Sequence, residues 1–170
     1  MTELLIGCGA NKEKKIYLPD NKDWQHLVTL DINPDHKPDV VWDLNNIPLP
    51  FTDNSFDEIH AYEVLEHVGR QGDYLFFFNQ FSDLHRVLKP NGKLFASVPL
   101  PSSPWAWGDP SHTRIFPKEW LVFLSQQTYK DQVGKTAISD FRWCYKADFN
   151  IVMCQENQDT LFFIIEAIKE

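Results

Sequence analysis

The sequence predicts an α/β fold, a single doubly wound, mostly parallel sheet in one domain spanning residues 1–170. Three observations carry this reading. Short apolar runs alternate with loops and a helical stretch as far as Pro99, and the first run leaves through a Gly-x-Gly turn. The chain then closes with two long alternating runs across a polar turn.

The elements follow in order. Leu4 to Ile6, closed by Gly7, reads as a short buried parallel strand. Gly7 and Gly9 belong at its exit because a side chain there would keep the backbone from folding tightly and approaching a ligand. In open α/β sheets ligands sit at the carboxyl ends of the strands. Residues 11–25 are polar and contain Pro19, which predicts a loop or one short turn where a crossover helix would ordinarily stand. Leu27–Asp31 is a second strand with a carboxylate at its end, near the spacing of roughly 20 residues at which a carboxylate meets a ribose hydroxyl. Residues 32–35 turn, Asp39–Trp42 forms a third strand that delivers Asp43, and residues 45–54 are a Pro-rich loop.

Phe56–Tyr62 reads as a fourth strand with part of its polar face exposed. Glu63 to Val68 predicts one helical turn closed by Gly69. Asp73 caps a long helix through Lys89, with Leu75, Phe78, Phe81, Leu84, His85 and Leu88 near helical period. The stripe Tyr74, Phe77, Phe78 and Phe81 reads as core. Pro90-Asn91-Gly92 stops the helix and Lys93–Val98 is the fifth strand. Residues 99–110 are expected to be irregular, with Trp105 and Trp107 forming an apolar lid or packing on a second helix, Pro117–Gln127. Phe149–Cys154 and Thr160–Ile168 form an antiparallel hairpin ending the sheet.

A net charge of −8 argues against nucleic acid as a partner, because sequence-independent binding requires phosphate neutralisation. Three cysteines make no disulfide framework and fit a reducing compartment. No signal peptide or bilayer-length apolar run is visible, so the expectation is a cytoplasmic protein without a membrane span. The chain begins almost on its first strand, so no N-terminal helical cap is expected, and a large acceptor or a neighbouring subunit of a homo-oligomer would close the open side of the crevice.

Three successive strand ends thus offer Gly7 and Gly9, Asp31 and Asp43, a set that suits a nucleoside. The glycines let backbone N–H groups meet a carboxylate or phosphate, Asp31 can accept both ribose hydroxyls, and Asp43 can accept from an adenine amino group. A Rossmann dehydrogenase would need a third glycine opening a helix over a pyrophosphate, which is missing. The runs Leu4–Gly9, Leu30–Ile32, Trp42–Leu44, Leu49–Ile59, Glu63–His67 and Arg86–Leu94 together resemble the class I S-adenosylmethionine-dependent methyltransferases, the methyltransferase-type-11 group in particular. Leu5 and Asn11 stand where that family often has an acidic residue and a further glycine. A subset near cell-surface polysaccharide pathways looks similar, with a loop in place of the first helix.

The resemblance implies seven strands with the last antiparallel, S-adenosylmethionine as cofactor, and a small or medium-sized acceptor methylated on a hydroxyl or amine. It carries cofactor contacts to Gly7, Cys8, Gly9, Asp31, Ile32, Asp43, Leu44 and Tyr62, with Cys8 as a small buried neighbour of the cofactor and not a nucleophile. Glu63, Glu66 and His67 stand at i, i+3 and i+4, so a helical turn would place them on one face, and His112 could join them from the loop after the fifth strand. Glu63 and His112 are the expected catalytic residues. Glu63, Glu66, His67 and His112 are also plausible ligands for Mg²⁺ or another divalent cation. The Glu-x-x-Glu-His run looks like the metal motif of ubiquinone-pathway and small-RNA 2′-O-methyltransferases. Two alternatives stay open: a non-catalytic nucleoside-binding or scaffold protein on the same fold, and a metal-dependent RNA 2′-O-methyltransferase.

Overall fold

The apolar runs assemble into one seven-stranded sheet in a computed structural model that describes residues 1–169. The strands are β1 (Glu3–Ile6), β2 (Leu27–Asp31), β3 (Val40–Val41), β4 (Phe56–Tyr62), β5 (Leu88–Pro99), β6 (Phe149–Glu156) and β7 (Thr160–Ala167), in the order β3-β2-β1-β4-β5-β7-β6. The first five run parallel, and β7 lies antiparallel to both β5 and β6. The tips of β1, β2 and β4 therefore meet at one edge, where a parallel sheet places its ligands.

Strand alternation divides the sheet into two dissimilar faces. On one, Leu4, Ile6, Leu30, Ile59, Ala61, Leu94, Ala96 and Phe163 pack against the buried stripe of helix α1 (Tyr74–Val87) and against Leu121, Leu124, Tyr129 and Tyr145. Asp73 caps α1 by accepting the Phe76 N–H at 3.0 Å, as the sequence suggests. Phe77, Phe78 and Phe81 are core, whereas Tyr74 is exposed at the helix start. The opposite face carries Leu5, Cys8, Tyr62, Phe95 and Ile164 and is covered by the loop of residues 10–25 through Ile16, Leu18 and Trp24.

Beneath that loop lies a buried polar network. Lys14 pairs with Glu3 at 2.5 Å and Glu58 at 3.1 Å, and Asn21 donates to Glu58 at 2.8 Å. The Gln25 N–H donates to the second Glu3 oxygen at 2.7 Å. His60 lies 3.0 Å from Glu58 through Nε2 and 2.6 Å from the Tyr62 hydroxyl through Nδ1. The carboxylate fixes the imidazole proton on Nε2, so Nδ1 accepts from Tyr62. The polar face of β4 is thus fully enclosed, with Glu58 at 6% and His60 at 0% exposure, where the sequence suggested partial exposure. Polar residues in a strand mark the wet face only when nothing charged covers it, and here Lys14 does.

Several boundaries also differ. α1 ends at Val87, because Pro90 biases its neighbours out of the helical region and Leu88 is already extended, paired with Phe56. Within residues 99–110 a single helical turn, α2 (Trp105–Gly108), forms with the Ser103 hydroxyl accepting the Trp105 N–H. Both indoles are exposed, so neither packs on the following segment. The expected helix over 117–127 divides into a 3₁₀ stretch, Lys118–Leu124, and α3 (Gln126–Gln132), because Ser125 adopts an extended backbone and caps the second piece through Thr128.

Candidate active site

The turn after β1 is held open by its glycines. Gly7 and Gly9 have φ of +58° and +56°, a left-handed backbone that only glycine adopts readily. A Cβ on Gly7 would lie 2.2 Å from Val64 Cγ2, whereas one on Gly9 would meet nothing within 4 Å. Gly7 thus packs the turn against the chain leaving β4, and Gly9 leaves room for a ligand. Gly7→Ala is expected to lower thermal stability by more than the roughly 1–2 kcal/mol of a left-handed alanine, because Val64 must also shift. Gly9→Ala should lose only the backbone contribution; melting curves of the two variants check the difference.

Asp31 is tied to this turn. Its Oδ2 accepts the Gly9 N–H at 2.8 Å, its Oδ1 accepts the Asn33 N–H at 2.8 Å, and His36 Nδ1 lies 3.2 Å from Oδ1. Burial would raise this carboxyl, but the Asn33 and Gly9 amides and His36 outweigh it and hold it below the usual carboxylate range. Asp31 is therefore a fixed anion at the β2 tip. Next to it Ile32 is 63% exposed, an apolar side chain open to a planar ligand. Asp43 is half-buried, its Oδ1 accepting from the Asn45 backbone and side-chain amides at 2.8 and 2.9 Å.

Three other sequence-derived cofactor residues have buried or half-buried side chains. Leu44 packs into the main core beside Ile6 and Leu49. Cys8 lies in the cluster on the opposite face, and burial pushes its thiol up, which fits an inert side chain. Tyr62 is buried in the network under the loop, its hydroxyl raised to about 12 chiefly by burial and bonded to His60 and the Ile16 N–H.

A second group forms where the chain after β4 meets the loop after β5. The Glu66 carbonyl accepts the Thr113 and Arg114 N–H groups at 2.9 and 3.3 Å, which stitches the two segments together. One ligand atom from each of Glu66, His67 and His112 lies within 4.8 Å of the others. Both Glu66 carboxylate oxygens are buried and lack a hydrogen-bond partner, and burial with the nearby Glu63 pushes this carboxyl up to about 8. Ser111 donates to Asp109 at 2.5 Å and so receives the His67 Nδ1 proton at 3.0 Å. His112 Nδ1 likewise faces the Ala106 carbonyl at 3.3 Å, while its Nε2 lies 3.9 Å from Glu66. Both imidazoles therefore have a partner for Nδ1 that leaves the Nε2 lone pair free, an orientation shared by metal ligands and general bases.

Glu63 stays outside this group. The helical spacing that joined it to Glu66 and His67 fails because the 3₁₀ turn spans only Leu65–His67, with Val64 irregular and Glu63 itself at φ +53°. Glu63 is instead exposed at the end of β4. The Asp109–Ser111 support for His67 escaped the sequence reading, although Asp109 and Ser111 stand at the i, i+2 spacing typical of an Asx turn. Arg114, 3% exposed, was also missed. Its Nε donates to the Leu65 carbonyl and its Nη2 to Gln80, and burial holds its guanidinium down at about 10.

The family model described as a methyltransferase domain matches residues 4–96, more than half of the chain and all of the glycine turn, Asp31 and Asp43. The chain belongs to the methyltransferase domain family. Solved structures show the same fold at low identity. A SAM-dependent methyltransferase from Archaeoglobus fulgidus is 16% identical, with a TM-score of 0.59 over 97% of this chain and 85% of that one. A Haloferax volcanii complex with the Trm112 methyltransferase activator matches at 16% identity and a TM-score of 0.61, covering 99% and 83%. The N-methyltransferase NodS from Bradyrhizobium japonicum, in complex with S-adenosyl-L-homocysteine, matches at 15% and 0.57, covering 99% and 78%. No curated protein sequence matches. No helix among the described residues of this methyltransferase-family chain is long and apolar enough to cross a membrane.

Proposed function

We propose that this chain transfers a methyl group from S-adenosylmethionine to a hydroxyl or amine of a small or medium-sized acceptor. The observation that carries the reading is the Gly9–Asp31 bond of 2.8 Å, which fixes a carboxylate beside a turn with open space above it, within the segment matched by the family model. These residues fit the cofactor: a ribose needs a fixed acceptor, which Asp31 is, and a methionine end needs room at the turn, which Gly9 leaves. Asp31 would hold the ribose, Asp43 the adenine amino group, and the bare backbone of the Gly7–Gly9 turn would lie against the methionine end, with Ile32 against the base. The cofactor supplies a methyl on a positively charged sulfur, so the protein's task is positioning and removal of the acceptor's proton.

The proton falls to Glu66 and His112. An acceptor hydroxyl would donate to one of the two partnerless Glu66 oxygens, and the free Nε2 lone pair of His112 lies 3.9 Å from that carboxylate. Glu66→Gln and His112→Ala are each expected to lower turnover by about 10²–10⁴-fold while leaving S-adenosylhomocysteine affinity unchanged, as calorimetry would show. Equal loss of cofactor binding would remove the assignment.

The same group favours a second reading. A carboxylate without partners and two imidazoles supported at Nδ1 also fit Mg²⁺ or another divalent cation, held by Glu66, His67 and His112, which would polarise the acceptor oxygen. EDTA separates the two, because only an ion-dependent enzyme loses turnover and regains it on addition of the ion.

A further inference from the structure

A cavity of about 330 Å³ lies between the start of α1 and the segments carrying Arg114, Trp120 and Phe141. That volume is at the lower end of ligand-binding pockets, the size for a single ring with a short substituent. Tyr74, Phe77, Phe78, Trp120, Phe123 and Phe141 make its walls aromatic. Exposed Tyr74 and Trp143 extend this surface outward, their rings 6.5 Å apart.

Arg114 also lines the cavity. Its Nε and Nη2 bond to neutral acceptors, the Leu65 carbonyl at 2.8 Å and Gln80 Oε1 at 2.6 Å, and no carboxylate pairs with it among the described residues. Glu66 and Asp73 act on this buried cation only from beyond ion-pair distance, so a ligand anion in direct contact would offset more of the cost of its burial. Arg70 supplies a second cation at the rim. The one carboxylate there, Asp73, already accepts from the α1 N-terminus. The cavity and the Glu66 group share a joint, because the Arg114 and Thr113 amides both donate to the Glu66 carbonyl.

We propose that this cavity seats the acceptor, and that the acceptor is a single-ring compound bearing one anionic group, a carboxylate or a phosphate ester, paired with Arg114. The acceptor role rests on the methyl-transfer reading; the ligand site does not. The ring stacks among the aromatic walls, the anion meets Arg114, and the hydroxyl or amine to be methylated points toward the Glu66 side of the shared joint.

Calorimetry and saturation-transfer NMR on the whole chain, with benzoate, phenyl phosphate and benzyl alcohol as probes, test this. At least one anion should bind ten times more tightly than benzyl alcohol, and the stronger of the two identifies the anionic group. Arg114→Gln should abolish that preference. Ser139→Phe, a filling change at an exposed wall position, should remove binding of all three probes while S-adenosylhomocysteine still binds, and it keeps the test decisive if Arg114→Gln fails to fold. Anions that bind no better than benzyl alcohol, or binding that survives Ser139→Phe, would overturn the site. Absence of S-adenosylhomocysteine binding to the unaltered chain would overturn the methyl-transfer reading and the acceptor role, while the anion titrations still decide the cavity.

Discussion

Asp31→Ala is expected to weaken S-adenosylhomocysteine binding by about a hundredfold or more. Hydrogen bonds to a charged group contribute about 1.5–3 kcal/mol each, and a ribose offers two hydroxyls. The substitution also frees the Gly9 and Asn33 amides that Asp31 accepts, so the glycine turn loses its tether. Asp31→Asn is the informative partner, because it keeps one acceptor oxygen and the side-chain volume. Calorimetry should place it between the alanine variant and the unaltered protein. Alanine and unaltered protein binding with equal affinity would refute the cofactor assignment.

The largest stability effect is expected at Lys14. Removing its ammonium, as in Lys14→Met, leaves Glu3 and Glu58 buried at 0% and 6% exposure without their cation. Breaking a buried pair in this way costs about 3–5 kcal/mol. For a chain of this length that corresponds to a fall of roughly 10 °C in the melting temperature. The pH dependence follows from Glu58. Burial would raise its carboxyl, but His60, Lys14 and Asn21 outweigh this and hold it at about 2 in the folded state. A carboxyl depressed by folding contributes stability that is complete above its unfolded value and lost as pH falls toward the folded one. The unaltered protein should therefore lose this contribution between about pH 4.5 and pH 2, whereas Lys14→Met, lacking the chief cation, should show a shallower acid limb. Denaturant titrations across that range measure both slopes.

The parts of the site that were legible in the sequence are those fixed by local backbone chemistry. A strand ending in Gly-x-Gly and a strand ending in Asp31 need only the period of two and the conformational freedom of glycine, and both stand where the pattern put them. The same period carries information about side-chain direction. Tyr62 shares the parity of Glu58 and His60, and this sets it on the face under the loop. Glu63 does not share a face with Glu66 and His67, because an i, i+3, i+4 pattern presupposes a helix, and the left-handed Glu63 backbone precedes a turn too short to carry it. Arg114 and the Ser111 support of His67 depend on the stitching of residues 113–114 to Glu66, a contact between segments nearly fifty positions apart that no local pattern encodes.

The loop of residues 10–25 follows the glycine bend directly, yet it contains no helix or strand of its own. Its course is set by where Lys14, Asn21 and Ile16 meet Glu3, Glu58 and Tyr62 beneath it. Buried carboxylates in β1 and β4 therefore set the course of the chain that leaves the glycine bend, and evolutionary drift at Glu3 or Glu58 would redirect that segment without altering a single residue in it.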